Sequence, residues 1–288
     1  LEQLRRNEQY EIFGRDEETH AVIDTLTREK GKNPVLVGPR GAGKTTIAQK
    51  AARTILEENL PGHRVFQSEL SGAYVIETTP ARISRLAKAD DNNAQAAALE
   101  MYFDAVLAVE RALKIKIVLF VDEIHTFGPG QVEAMKPYLD SRTKAIKLIG
   151  SSTSVEFQNA FKNNPAILRR FEVIGVREQT VEEVKEIIMA SEKARTEKRY
   201  GFVVSEDAVD VIVNNANKVY PDTSLVDASA KLLMSISTDQ ARGLGSSPIS
   251  PAVQITEEVV YAFIQKRLGY PVNPLDKRAF KAYEDDLI

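Results

Sequence analysis

Cysteine is absent from all 288 residues, which excludes a disulfide framework and a thiolate zinc site and points to a reducing compartment. Histidine is scarce. His20, His63 and His125 are far apart and lack ligand spacing, so each reads as a structural or exposed residue. No apolar run approaches the ~20 residues of a membrane-crossing helix. Net charge is only −3 and the pI near 5.8, which leaves no basic field for nucleic acid and no cationic skin for a membrane surface. The opening stretch Leu1-Glu2-Gln3-Leu4-Arg5-Arg6 has neither the apolar core of a signal peptide nor an initiator methionine, and reads as the start of an excised piece of a longer protein. Together these absences give the expectation of a cytoplasmic protein, with length enough for two domains.

Against these absences stands Gly38-Pro39-Arg40-Gly41-Ala42-Gly43-Lys44-Thr45, which fits the phosphate-cradling pattern G-x-x-x-x-G-K-[ST]. The apolar run Pro34–Val37 precedes it as a buried strand, and Thr46-Ile47-Ala48-Gln49-Lys50 opens a helix after it. Glycines let successive N–H groups face one anion, and the helix N-terminus adds its positive end. The expected nucleotide-binding run is Gly38 through Thr46; in it Lys44 reaches the outer phosphates and Thr45 offers its hydroxyl to magnesium. Further on, Ile117-Val118-Leu119-Phe120-Val121 reads as a central parallel strand ending in Asp122 and Glu123. Asp122 is the expected magnesium ligand, directly or through water, and Glu123 is placed to orient or deprotonate an attacking water. The two motifs together predict binding and hydrolysis of a nucleoside triphosphate.

Up to Arg177 short β-like runs alternate with helical stretches, the pattern of an α/β fold with a parallel sheet covered on both faces. The expected strands are 35–37, 64–68, 117–121, 145–149 and 172–176, with helices near 44–58, 96–114 and 131–140. From Thr180 the β signal fades into amphipathic helices near 181–199, 205–219, 224–240 and 256–268. Thr180-Val181-Glu182-Glu183 reads as a capping box, and Ser205 and Thr256 stand before acids at helix starts. The polar stretch 88–95 and the Gly/Ser/Pro stretch 243–251 read as loops. The expected division is an α/β nucleotide-binding domain over 1–177, a small all-helical domain over 178–270, and a linker over 271–288.

Three features narrow the class. Gly150-Ser151-Ser152-Thr153 puts hydroxyls at a strand tip beside the acidic pair, either to hold the attacking water or γ-phosphate or as a plain turn. Arg169 and Arg170 precede the last strand, either as bidentate phosphate ligands or as a solvated basic pair. Ile12 and Phe13 either line an adenine face or anchor the chain.

In the order of these motifs the chain resembles the first ATPase module of the Clp-type AAA+ unfoldases and disaggregases. The resemblance runs through Phe13-Gly14-Arg15-Asp16-Glu17-Glu18, Asn33–Gly38 and Leu119–Thr126. It continues in Ile149–Thr153, Leu168-Arg169-Arg170-Phe171, Pro221-Asp222 with Val226-Asp227, and Gly269-Tyr270-Pro271-Val272. It implies an AAA+ fold with a helical lid, binding ATP and Mg²⁺, with Glu123 as catalytic base and Thr153 as sensor. Arg169 and Arg170 become fingers reaching a neighbouring subunit in a ring, expected to be a hexamer. Ile12 and Phe13 line the adenine pocket, and Leu225, Val226 and Asp227 lie near the nucleotide-facing helix of the lid. The implied partners are protein substrates and a second ATPase module further along the full chain. Two alternatives stay open: a secretion-linked relative acting on one dedicated partner, and an assembly or regulatory ring with little threading.

Two departures from the family pattern stand out. Counted from the strand expected at Arg64, the polypeptide-gripping pore tip falls near Thr78-Thr79-Pro80, without aromatic or glycine. Thr223-Ser224 follows Pro221-Asp222 where relatives carry a lysine.

Overall fold

The structure, a computed structural model, describes residues 12–28, 32–57, 70, 72–88, 91–140, 145–244 and 253–273. Contacts divide the chain into two units, Arg15–Glu178 and Gln179–Ile288 together with Leu1–Gly14.

The α/β unit begins with α1 (Asp16–Thr27), β1 (Asn33–Val37) and α2 (Lys44–Glu57). It continues through β2 (Tyr74–Thr78), the short α3 (Pro80–Ser84), α4 (Asn92–Leu113) and β3 (Ile117–Val121). After a 3₁₀ turn at Ile124–Thr126 come α5 (Pro129–Asp140), β4 (Lys147–Ser152), α6 (Ser154–Phe161), α7 (Pro165–Leu168) and β5 (Phe171–Gly175). The five strands form one parallel sheet in the order β2-β3-β4-β1-β5. All five residues of β1 and of β3 are buried, the apolar runs Pro34–Val37 and Ile117–Val121 as a doubly covered sheet requires and Asn33 with its Oδ1 accepting from Leu148 N. Alternation sorts the side chains to the two faces. Val35, Val37, Leu119 and Val121 face Phe103 of α4 and Met135 of α5. Leu36, Val118 and Phe120 face Val22 of α1 and Ile47 and Ile55 of α2.

Four expectations change in this unit. The second sheet strand is Tyr74–Thr78, pairing Ile76 with Leu119, while the strand expected at 64–68 lies outside the described residues. Thr78 therefore ends an edge strand and Thr79 caps α3, its hydroxyl accepting from Arg82 N, so Thr78-Thr79-Pro80 is not a loop tip. The fourth strand begins two residues later than expected and runs on through Gly150-Ser151-Ser152, because Ser151 and Ser152 pair with Leu36 and Val37 of β1. The polar stretch expected as a loop at 88–95 contains the start of α4: Asp91 caps it by accepting from the N–H groups of Asn93 and Ala94.

The helical unit comprises α8 (Val181–Ile187), a π turn (Ile188–Lys193), α9 (Ala194–Tyr200), β6 (Val203–Val204), α10 (Glu206–Val219), α11 (Leu225–Leu244), β7 (Gln254–Ile255) and α12 (Glu257–Leu268). The helix expected over 181–199 is thus interrupted by the π turn, where the Ser191 hydroxyl donates to Ile187 O. A two-residue parallel ladder between β6 and β7 is the departure from an all-helical unit. Thr180 and Glu183 make the expected capping box, and Ser205 caps α10. Thr256 does not accept from the helix; its hydroxyl donates to Glu258 at 2.6 Å instead. Leu232, Leu233 and Ile236 of α11 pack on Val260 and Ile264 of α12 in one core. Most of the Gly/Ser/Pro stretch, and the chain after Asn273, lie outside the described residues. No helix among the described residues is long and apolar enough to cross a membrane.

Candidate functional site

β1, β3 and β4 are neighbours in the sheet, so the loops leaving their C-terminal ends converge at the edge where doubly wound sheets bind ligands. The first of these loops is Gly38–Thr45. Gly38 N donates to Ser152 O at 3.2 Å, and a Cβ at Gly38 would lie 2.0 Å from Val176 O. The first glycine of the loop is therefore demanded by the backbone after β5. Gly41 and Gly43 take φ of 75° and 86°, the left-handed region that lets the loop curl. Pro39, Arg40 and Gly41 are exposed, Ala42 is buried, Lys44 and Thr45 are half-buried at the start of α2, and Thr46 is exposed. Lys44 Nζ donates to Gly38 O at 2.9 Å and to Pro39 O at 2.7 Å. Burial pushes its ammonium below the usual lysine pKa, against the pull of the Asp122 and Glu156 carboxylates.

Arg15 supports this loop from behind. Its guanidinium donates to Ala42 O at 2.9 Å and to Arg177 O at 2.7 Å, and it pairs with Glu18 at 2.7 Å. The side chain is 5% exposed, so these partners offset the burial of its charge.

At the tip of β3, Asp122 is half-buried and accepts a short hydrogen bond from the Ser151 hydroxyl of β4. Glu123 N donates to the same Asp122 oxygen at 3.1 Å. Glu123 is exposed and held at φ 54°, ψ 44°. Its carbonyl accepts from both the N–H and the hydroxyl of Thr126 at 2.9 Å, so the 3₁₀ turn keeps the backbone there. A charged residue in the left-handed region beside a candidate magnesium ligand is strain at a candidate catalytic position. The carboxylate of Asp122 and the hydroxyl of Thr45 are hard oxygen donors, and they fit Mg²⁺, which takes one or two protein oxygens alongside substrate phosphates. No group of three or more metal-ligating side chains forms a cage among the described residues.

Thr153 follows β4 and caps α6. Its hydroxyl accepts from Glu156 N at 3.3 Å and donates to Glu156 Oε2 at 2.7 Å. Glu156 also meets Arg40 Nη2 at 3.4 Å and His125 Nε2 at 3.5 Å, while His125 Nδ1 lies 2.9 Å from the Ser152 hydroxyl. The Thr153 hydrogen bond, with the charges of His125 and Arg40, holds the Glu156 carboxyl below the ordinary glutamate value. Ser151, Glu156 and His125 are thus site neighbours that motif reading passed over. Only Ser151 carried a signal, as one of several hydroxyls at the strand tip.

Asn164 caps α7 by accepting from Ile167 N, and the two candidate finger arginines follow that helix. Arg169 is exposed; Arg170 is half-buried, with Nη1 donating to Ala166 O at 2.5 Å. Asn33 N donates to Arg170 O at 2.8 Å, which fixes the entry to β5. Ile12 and Phe13, half-buried, belong with the helical unit, as do Leu225 and Asp227 at the start of α11. Asp227 there accepts from the Ser224 hydroxyl at 2.9 Å.

The sequence profile described as "ATPase family associated with various cellular activities (AAA)" matches residues 34–179. Chaperone protein ClpB of Lactococcus lactis subsp. cremoris is 30% identical over 243 residues, covering 80% of this chain and 26% of that protein. Heat shock protein 104 of Schizosaccharomyces pombe is 28% identical over 243 residues, covering 81% of this chain and 25% of that protein. The chain thus spans about a quarter of the length of these curated relatives. A solved S. cerevisiae Hsp104–casein complex in an extended conformation superposes with a TM-score of 0.76 at 26% identity, covering 99% of this chain and 47% of that one.

Proposed function

Because the chain belongs to the AAA ATPase family, we propose that it is the ATP-hydrolysing module of a protein-remodelling machine like ClpB and Hsp104. The observation that carries this reading is the convergence of the Gly38–Thr45 loop, Asp122 with Ser151, and Glu123 at the ends of three adjacent parallel strands.

In this reading the N–H groups of Arg40–Thr46 receive the phosphates and Lys44 exchanges its carbonyl partners for phosphate oxygens. Mg²⁺ would neutralise phosphate charge when bound, with Thr45 and Asp122 as its holders. Ser151 orients the Asp122 carboxylate. Glu123, exposed and adjacent, takes a proton from the attacking water. Thr153 senses the terminal phosphate. Arg169, exposed after α7, and Arg170 serve a neighbouring subunit's nucleotide in a ring, expected to be a hexamer. Ile12 and Phe13 contact the base, and Leu225 and Asp227 belong to the lid. The 1–177, 178–270 and 271–288 segments then act as nucleotide-binding domain, lid and linker to a second ATPase module. Substrates are proteins, as the casein-bound Hsp104 structure suggests by analogy, and the expected location is the cytoplasm. A pore tip at Thr78-Thr79-Pro80 without aromatic or glycine would favour an assembly ring with little threading; with Thr78 ending β2, Thr79 capping α3 and Pro80 opening it, nothing here favours that alternative.

ATP binding and turnover measured across a range of protein concentrations test the reading. Lys44→Ala should abolish ATP binding. Glu123→Gln should bind as the parent does while turnover falls about 10²–10⁴-fold. The parental rate should rise with concentration as subunits supply fingers to one another, and Arg169→Ala/Arg170→Ala should remove that rise. Parental turnover in Glu123→Gln would overturn the base assignment; loss of nothing in Lys44→Ala would overturn the site.

A further inference from the structure

Glu156 is absent from the phosphate-loop and acidic-pair motifs, yet it touches groups from three of the converging segments. Arg40 reaches it from the phosphate loop, Thr153 from the end of β4, and His125 from the turn after β3. A threonine hydroxyl has one proton to donate. In this structure Thr153 donates it to Glu156, and it cannot simultaneously donate to a phosphate oxygen. Arg40 extends its guanidinium towards the same carboxylate, with 86% of its side chain exposed and free to turn. One carboxylate therefore gathers a hydroxyl and a guanidinium that are suited to a terminal phosphate group. It is also close enough to Lys44 to affect the electrostatics of that ammonium.

We propose that Glu156 is a positioning residue that discriminates triphosphate from diphosphate, a stand-in anion that a γ-phosphate must displace from Thr153 and Arg40. The inference rests on the ATPase reading. A diphosphate stops short of these groups and leaves Glu156 with its partners. A triphosphate brings further negative charge towards the carboxylate and competes for the same donors, so Glu156 weakens triphosphate binding relative to diphosphate. The carboxylate sits on the first turn of α6, whose Phe157 and Phe161 pack against Phe171 at the start of β5. The chain from α6 passes through Asn164 and α7 directly to Arg169 and Arg170. Displacing Glu156 thus acts on the first turn of the segment that ends in the finger arginines, which would tie terminal-phosphate occupancy to their position.

The test compares Kd values for ADP and for ATPγS, a slowly hydrolysed triphosphate, in the parental chain and in Glu156→Gln. Glutamine keeps the length and an oxygen acceptor for Thr153 but loses the charge. The ATPγS-to-ADP affinity ratio should rise about three- to tenfold. Adding Arg40→Gln to Glu156→Gln should return the ratio towards the parental value, because the released guanidinium is the group that the phosphate gains. A residue that only caps α6 would lower thermal stability and shift both nucleotides alike. A ratio within about twofold of the parent overturns the inference alone. Failure of the parental chain to bind either nucleotide overturns the ATPase reading and the inference with it. If Glu156→Gln does not fold, Glu156→Ser, which keeps a hydroxyl acceptor on the first turn, carries the same comparison.

Discussion

In the helical unit the described residues in the left-handed region are glycines. Gly201 and Gly269, at φ 68° and 79°, end α9 and α12, and Gly14 at φ 70° adjoins Arg15. In the α/β unit Gly41, Gly43 and Gly72 sit there too, joined by residues with side chains: Arg15 at φ 63°, Lys114 at φ 53° and Glu123 at φ 54°. Lys114 merely closes α4. Arg15 holds the phosphate loop from behind and Glu123 is one of the acidic pair, and at both a side chain is needed in spite of the backbone cost. Both units cap their helices, with Thr180 and Ser205 in one and Thr79, Asp91, Thr153 and Asn164 in the other, and the α/β unit also sets polar side chains at strand ends against one another, Ser151 on Asp122 and Ser152 on His125. A side chain is carried into the left-handed region at Arg15 and Glu123, where it has a task, and at the helix end Lys114, while the phosphate loop uses Gly41 and Gly43 for its curl.

The largest test of that contrast is Gly38→Ala. The added methyl would meet Val176 O, a backbone atom that cannot step aside. Urea denaturation should show a loss of about 4 kcal/mol or more. Hydrogen exchange should place the loosened amides in β1, β4 and β5, with α10 little changed. Uniform loosening of both units would break the contrast.

Glu123→Gly sharpens it in the opposite direction. Releasing a left-handed side chain should stabilise the α/β unit by about 1 kcal/mol while turnover is lost. A destabilised Glu123→Gly in the same denaturation assay would mean that the Thr126 contacts, rather than the side chain, set the local energy.

The smallest effects belong to the caps. Thr180→Ala removes a complete capping box and should cost about 1 kcal/mol, whereas Thr256→Ala, where the hydroxyl does not cap, should cost only a few tenths. Equal losses in thermal melts would show that the Thr256–Glu258 hydrogen bond supports α12 as firmly as a cap does.

Central strands were legible because burial on both faces leaves an unbroken apolar run, as in Ile117–Val121. Edge strand Tyr74–Thr78 was not. Its residues are mostly β-formers, but it is partly exposed, with Ile76 and Glu77 open to solvent, and shows neither an unbroken buried run nor an alternation of buried and exposed positions. The end of β4 was hidden for a different reason: Gly150-Ser151-Ser152 looks like a turn until pairing with β1 buries it. Within the candidate site, Lys44, Thr45, Asp122 and Glu123 announce themselves because a local chain segment carries each motif. Glu156, His125 and Arg15 do not, since each acquires its meaning from partners 27 to 162 positions away on separate loops. That the hydroxyl of Thr153, named as sensor by resemblance, is engaged by Glu156 is visible only in the structure.

Arg15 opens the α/β unit and Arg177 stands one residue before its end, and a hydrogen bond of 2.7 Å joins them. Entrance and exit of the chain are thereby sutured side by side. A domain with adjoining ends can be lifted from one protein and set into a loop of another without stretching either, or have its ends fused and new ones opened elsewhere. The same guanidinium clasps Ala42 O, so a transplanted cassette would carry the fastening of its phosphate loop along with the seam that closes it.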